Sequence, residues 1–92
     1  MNSYCSSGFW RLYDALPPHI QRAADEAFER WKKDTKHPGL HFKPIPGTTT
    51  IEGDCWSARI NDDYRALCAK LDDGWLWWGI GDHDYFDRVT RG

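Results

Sequence analysis

The sequence has no excess of positive charge, no long apolar run and no leader-like N-terminus. Its 12 Lys and Arg residues stand against 14 Asp and Glu residues, which gives a formal net charge of −2. A broadly basic nucleic-acid-binding surface is therefore excluded, and any such contact must come from a local patch. No apolar stretch approaches the roughly 20 residues that cross a bilayer, and no charged segment followed by an apolar one opens the chain. These absences predict a cytoplasmic protein that does not contact a membrane.

Signals for disulfides, metals and cofactors are also scarce. The sequence has three cysteines, which are Cys5, Cys55 and Cys68. Their odd number and the lack of C-x-x-C spacing argue against a disulfide framework and a zinc ribbon, and predict reduced thiols. His37 and His41 have the spacing of a helical ligand pair, but Pro38 breaks the helix that such a pair requires. Because nucleotide-binding, zinc-protease and nucleophilic-serine motifs are missing too, we expect neither a metal nor a cofactor.

The first half of the chain carries two helical patterns, within a single domain predicted over residues 1–92. Pro17 and Pro18 stop one helix and start another, so a helix is predicted from about Pro18 to Lys33. One stripe of this helix is apolar, and it consists of Ile20, Ala24, Ala27, Phe28 and Trp31. A shorter helix is predicted from about Gly8 to Ala15 on the same grounds, and no strand is evident before Phe9.

In the second half of the chain the period changes to two, which predicts strands. The four predicted strands are Leu40 to Ile45, Cys55 to Asn61, Tyr64 to Leu71 and Trp75 to Ile80. The separating turns are Pro46-Gly47, Asn61-Asp62-Asp63 and Asp72-Asp73-Gly74. We therefore predict an α+β fold in which an N-terminal helical hairpin packs on a four-stranded, mainly antiparallel twisted sheet.

Two arginines are candidates for binding an anion. Arg59 and Arg65 lie on adjacent antiparallel strands on either side of a short turn, so their side chains can approach each other on one face. Guanidinium groups arranged in this way form a phosphate clamp. The alternative is that each arginine makes an ordinary salt bridge with Asp62, Asp63 or another acid.

A polar cluster follows the last predicted strand. His83 exchanges protons near neutral pH, so it is a candidate general acid or base, with Asp82 or Asp84 orienting the ring and Tyr85 beside it. The alternative is a helix start in which Asp82 is the N-cap and His83 is merely exposed. Lys43, on the first predicted strand, faces either the arginines or solvent.

Taken in order, four segments resemble the RelE/ParE toxins of type II toxin–antitoxin systems. They are Leu-Pro-Pro at 16–18, H-P-G-L-H-F-K at 37–43, W-S-A-R-I-N-D-D-Y-R-A-L at 56–67 and W-W-G-I-G-D-H-D-Y at 77–85. The resemblance implies the small fold of that family and inhibition by a cognate antitoxin protein. RelE-like members are ribosome-dependent, metal-independent endonucleases that cut mRNA, whereas ParE-like members inhibit DNA gyrase.

The resemblance also implies roles for individual residues. Arg65 matches the arginine of the family's Y-R motif, Arg59 matches a basic residue on the preceding strand, and His83 and Tyr85 fall where RNA-cutting members place acid/base and stacking groups. The implied reaction is attack of a ribose 2′-OH on the adjacent phosphodiester, with His83 moving protons, the arginines stabilising charge, and Lys43 assisting in binding. The open alternatives are a non-catalytic toxin that binds a protein such as gyrase, and an inactive family member.

Overall fold

The computed structural model describes residues 2–49 and 53–90, and within these ranges it contains five strands and three α-helices. The elements in chain order are β1 (Asn2–Cys5), α1 (Ser7–Asp14), α2 (Pro18–Lys33), a 3₁₀ turn (Pro38–Leu40), β2 (Lys43–Thr49), β3 (Asp54–Arg59), β4 (Tyr64–Leu71), β5 (Gly74–Asp82) and α3 (His83–Thr90). The sheet order is β1-β5-β4-β3-β2. Strands β2 to β5 are antiparallel neighbours, whereas β1 pairs with β5 in parallel. The α+β class and the antiparallel meander are thus confirmed.

Four details of the sequence prediction are wrong. The sheet has five strands rather than four, and β1 precedes the helical pair, so the helices do not come first. The segment predicted as a strand from Leu40 begins instead with the 3₁₀ turn, and the strand starts at Lys43. Pro46 and Gly47 lie inside β2 rather than ending it, because β2 is at the sheet edge, where proline is tolerated.

The two helices at the N-terminal end form where their sequence patterns indicate. Ser6 caps α1, and its hydroxyl accepts a hydrogen bond of 3.1 Å from the main-chain N–H of Phe9. Helix α2 has the predicted bounds and starts with Pro18, whose missing N–H costs nothing in the first turn. Both helices turn their apolar stripes toward the same face of the sheet, which we call the α1–α2 face.

The α1–α2 face holds an aromatic core. Trp31 is only 2% exposed, and its ring lies 5.2 Å from that of Trp77 and 6.2 Å from that of Trp75, both at nearly perpendicular angles. Phe28 and Phe42 add further edge-to-face contacts. Such pairs are stabilised beyond the burial of their area, by about 0.5–1.5 kcal/mol each. Large rings thereby give a small domain an adequate core.

The opposite face of the sheet, which we call the α3 face, is covered by α3. Side chains alternate along a strand, so the register places Arg59, Arg65, Leu67, Gly79 and Gly81 on this face. Strand β5 is therefore covered on both sides, as its continuous apolar sequence predicts. Among the residues described, no helix has the length and apolar character needed to cross a membrane.

Candidate functional site

Arg59 and Arg65 are directly opposite each other across the β3–β4 pair, and Gly81 continues the same row on β5. The Arg59 guanidinium forms an ion pair with the Asp62 carboxylate in the turn that follows. This outcome confirms the salt-bridge alternative for Arg59. The Asp62 side chain is 90% exposed and that of Arg59 is 30% exposed. Exposed pairs contribute only about 0–1 kcal/mol, so an incoming phosphate can compete for Arg59.

Arg65 has a different neighbour. Its Cζ atom lies 5.6 Å from the centre of the Phe86 ring, which is within the range of a cation–π contact. The residue is half-buried, between the sheet and the first turns of α3. An aromatic ring leaves the N–H donors of the guanidinium edge available, so Arg65 keeps its capacity to bind an anion.

His83 is tied to the β3–β4 turn by a hydrogen bond of 2.7 Å between its Nε2 atom and the main-chain oxygen of Asp62. A carbonyl oxygen only accepts, so Nε2 must carry the proton of this bond. In the neutral ring Nδ1 is then unprotonated and can accept a proton. The side chain as a whole is exposed. Asp62 therefore contacts both His83, through its carbonyl, and Arg59, through its carboxylate.

The two aspartates beside His83 serve the start of α3. Asp82 Oδ1 accepts a hydrogen bond of 2.9 Å from the main-chain N–H of Tyr85, which is the N-cap arrangement. Asp84 is exposed in the first helical turn, where a carboxylate interacts favourably with the helix dipole. The helix-start alternative is confirmed for Asp82. The Asp82 carboxylate is therefore engaged by the start of the helix rather than by the His83 ring.

Tyr85 anchors α3 to the sheet. Its ring lies directly over Gly79 and Gly81: a Cβ atom at Gly79 would come within 2.5 Å of the hydroxyl, and one at Gly81 within 2.7 Å of the ring. Burial raises the pKa of the Tyr85 hydroxyl, an effect that the positive charge of Arg88 partly opposes. The phenol therefore remains protonated at neutral pH, and two glycines make room for it.

Lys43 lies on the α3 face as well. It pairs with Ser57 of β3, one row from Arg59, and its side chain is exposed. The structure thus gathers Lys43, Arg59 and Arg65 on one face, with His83 at its end.

Sequence reasoning missed the Phe86 contact and the role of the Asp62 carbonyl, since neither a ring–cation distance nor a main-chain acceptor has a sequence signal. Within the described ranges, no group of three or more His, Cys, Asp or Glu side chains is arranged to hold a metal.

Comparison with solved structures defines the fold class as that of RelE-like toxins. The chain matches no protein-family model and no curated protein. It is similar to a chain in the crystal structure of the RelB-RelE antitoxin-toxin complex from Methanococcus jannaschii, with a TM-score of 0.71 and 14% identity; the match covers 92% of this chain and 95% of the other. It is also similar to a chain in the structure of the toxin-antitoxin complex RelBE2 from Mycobacterium tuberculosis, with a TM-score of 0.64 and 22% identity; the match covers 89% of this chain and 96% of the other. For the YoeB dimer of Staphylococcus aureus the TM-score is 0.66 at 15% identity, with coverage of 90% and 97%. The RelE-like fold anticipated from the sequence motifs is confirmed.

Proposed function

We propose that the chain is the toxin of a type II toxin–antitoxin system and acts as a metal-independent, ribosome-associated mRNA endonuclease. One arrangement carries this proposal: Arg59 and Arg65 are opposed on the α3 face, and His83 is held at the adjacent turn through Nε2, which leaves Nδ1 unprotonated in the neutral ring. An anion-binding pair next to a proton acceptor is what phosphodiester cleavage by a neighbouring hydroxyl requires.

In the proposed reaction, His83 Nδ1 takes the proton from the ribose 2′-OH as that oxygen attacks the adjacent phosphorus. The bond from phosphorus to the 5′-oxygen breaks, and the departing oxygen takes up a proton from water or from the imidazolium. Negative charge on the phosphoryl oxygens increases during attack, and Arg59 and Arg65 donate hydrogen bonds to them. Lys43 holds a neighbouring phosphate from the same face. The products are a 2′,3′-cyclic phosphate and a free 5′-hydroxyl.

Tyr85 is proposed to act through position rather than through its hydroxyl. Its ring fixes α3 over Gly79 and Gly81, and α3 in turn carries both His83 and Phe86. Lys43, Arg59 and Arg65 also explain how a chain with a net charge of −2 could bind RNA. Salt screens distant charges, so only the charges close to the phosphates need to attract them.

An antitoxin partner is part of the same proposal. Two of the structural neighbours were solved as complexes of a toxin with its antitoxin. On this chain Trp10 is 49% exposed, which is unusual for so large an apolar side chain and fits a surface that a partner covers. Growth arrest caused by the chain should be relieved when a small helix-rich gene encoded beside it is expressed together with it.

The substitution His83→Gln tests the catalytic part of the proposal. Glutamine can still donate to the Asp62 carbonyl but cannot accept a proton at neutral pH, so mRNA cleavage should fall by about 100-fold or more. Cleavage is measured by primer extension on total RNA after induction, and by the rate of growth. The matched control is His19→Gln, because His19 is exposed on α2, on the other side of the sheet.

Each result has a defined meaning. Loss of cleavage and of toxicity in His83→Gln alone supports the endonuclease. Toxicity that persists without mRNA cleavage, in the wild type as well as in both variants, contradicts it and favours binding to a protein such as DNA gyrase. No cleavage and no toxicity in the wild type would identify an inactive member of the fold.

A further inference from the structure

Arg65 is a cation that has no charged partner in the described part of the chain. Arg59, which lies directly opposite it on β3, is paired with Asp62. The Arg65 guanidinium, by contrast, forms no ion pair and no side-chain hydrogen bond within residues 2–49 and 53–90, although the residue is half-buried. Moving a charge partly out of water without a partner is costly, so another group must stabilise this guanidinium.

The ring of Phe86 supplies that stabilisation. Arg65 Cζ lies 5.6 Å from the centre of the ring. A cation–π contact favours the position of the cation over the ring by roughly two- to thirtyfold, with the larger values where water is excluded. The ring accepts none of the in-plane N–H donors of the guanidinium, which therefore stay available for an anion.

The position of Phe86 is determined by the seating of α3 on the sheet. Gly81, the β5 neighbour of Arg65, has no side chain, and the Tyr85 ring occupies the space over it. Phe86 follows Tyr85 in the helix, and its ring reaches Arg65 on β4. The contact thus holds Arg65 in place on the α3 face next to the like charge of Arg59.

We propose that Phe86 is a positioning residue for phosphate binding: its ring holds the Arg65 guanidinium beside Arg59, with the N–H donors free for the phosphate oxygens. The inference rests on the function proposed above, because the phosphate is that of the RNA to be cleaved. Phe86 itself touches neither the phosphate nor the attacking hydroxyl. Its ring offsets part of the cost of bringing two like charges together before the anion binds, so the site is preorganised.

A purely structural role for Phe86 is the competing explanation. No described residue of α3 is fully buried, and Phe86 is one of its half-buried apolar side chains, so the ring would then only hold the helix against the sheet. Val89 provides a matched comparison. It is also a half-buried apolar residue of α3, but it has no ring to offer to a cation.

The experiment measures the binding of a short single-stranded RNA by fluorescence anisotropy. The 2′-hydroxyls of this RNA are methylated, so the proposed reaction cannot cleave it. Phe86→Leu keeps an apolar side chain but removes the ring, and it should weaken binding by about three- to thirtyfold. Phe86→Tyr retains the ring and should bind within about twofold of the wild type. Val89→Ala should leave the affinity unchanged.

A double-mutant cycle separates positioning from packing. In an Arg65→Gln background, Phe86→Leu should have no further effect on RNA affinity, because the ring acts only through the arginine. A loss of the same size in both backgrounds would contradict the positioning role.

A second measurement uses the wild type alone and does not require any variant to fold. The Phe86 ring should shift the side-chain NMR signals of Arg65, and this shift should persist when the methylated RNA is added. Loss of the ring shift on binding would overturn the inference, because the guanidinium would then leave the ring to reach the phosphate.

The results also separate this inference from the proposed endonuclease. Equal RNA affinity of the wild type and a folded Phe86→Leu, or an equal loss in Val89→Ala, overturns the positioning role, whatever the wild type does to mRNA. An affinity that depends on the ring, in a wild type that cleaves no ribosome-bound mRNA, supports the positioning role and contradicts the endonuclease. A wild type that binds no RNA overturns both.

Discussion

Asp62 contributes two different groups to the candidate site, and they act in different ways. Its main-chain carbonyl fixes the His83 ring, and its side chain forms the ion pair with Arg59. A substitution of the side chain changes only the second of these contacts. The two functions can therefore be separated experimentally.

Asp62→Asn should increase the affinity for RNA with little effect on stability. The exposed ion pair contributes about 0–1 kcal/mol to the free energy of unfolding, so urea denaturation should change by no more than that. Arg59 loses its competing carboxylate and becomes available to phosphate, which should be measurable as tighter binding of a short single-stranded RNA by fluorescence anisotropy.

Asp63→Asn is the matched control, because Asp63 is also an exposed acid in the same turn but is not the acid that pairs with Arg59. Both variants remove one negative charge. If Asp62→Asn binds RNA more weakly than Asp63→Asn, the carboxylate positions Arg59 for its ligand rather than competing with it.

At the scale of elements, the packing of α3 on β5 depends on two positions without side chains. The ring of Tyr85 lies over Gly79 and Gly81. Because α3 carries His83, the placement of that histidine depends on this contact. The contact is specific enough to be tested by a double-mutant cycle.

Gly79→Ala should destabilise the wild type by about 1–3 kcal/mol, the usual range for overpacking. The new Cβ atom would meet the Tyr85 hydroxyl at 2.5 Å, whereas the ring carbon that bears it is 3.4 Å away. In a Tyr85→Phe background the hydroxyl is gone and the nearest remaining atom is Leu67 Cδ1 at 3.3 Å, so the same substitution should cost clearly less. Thermal or urea unfolding of the wild type, the two single variants and the double variant measures the coupling between the two positions. Equal costs of Gly79→Ala in both backgrounds would contradict the packing described.

Local patterns predicted the two N-terminal helices well and the edges of the sheet poorly, and α3 was anticipated only as an alternative for the cluster at Asp82. The bounds of α2 follow from Pro18 and a regular apolar stripe, which are signals within the element itself. Strand β1 has four residues, three of them exposed, and it forms only because β5 lies beside it. Such a strand has no pattern of its own. Pro46 likewise predicts the end of the strand, because proline is tolerated only in an edge strand and the local sequence does not show that β2 is one.

The same distinction applies to the candidate site. The pairing of Arg59 with Arg65 could be predicted, since a short turn joins their strands. The choice between ion pair and anion clamp could not, because it depends on where the Asp62 side chain lies. The position of Tyr85 over Gly79 also depends on the angle between α3 and the sheet, which no local pattern contains.

At the scale of the whole molecule, the buried thiols make folding sensitive to high pH. Cys55 and Cys68 are fully buried. Burial raises the pKa of Cys55 from 9.0 to about 11. The pKa of Cys68 is raised still further, mainly by burial and to a smaller extent by the charge of the neighbouring Cys55 thiolate. The folded state therefore retains protons that the unfolded state releases.

The free energy of unfolding should fall as the pH rises above 9. The pKa of Cys55 is about 11 in the folded state and 9.0 in the unfolded state, so its protonated thiol stabilises the fold fully only below pH 9. Between pH 9 and about pH 11, Cys55 alone should lower the free energy of unfolding by about 1.4 kcal/mol per pH unit. Urea denaturation at intervals between pH 7 and 11 measures this slope. Cys55→Ala should reduce it by about that amount, whatever its effect at pH 7. An unchanged slope would mean that the thiol does not titrate with unfolding.

The parallel pairing of β1 with β5 has a consequence for biosynthesis. Strand β1 is made before every other described element, yet its partner strand β5, which begins at Gly74, is made after all the other strands. Chains grow at about 5–20 residues per second, so β1 waits for several seconds without a neighbour. Strand β5, which joins β1 to the rest of the sheet, and His83, which follows it, are made after the other strands. Until β5 and α3 have been made, the growing chain therefore holds neither the finished sheet nor the proposed cleavage site.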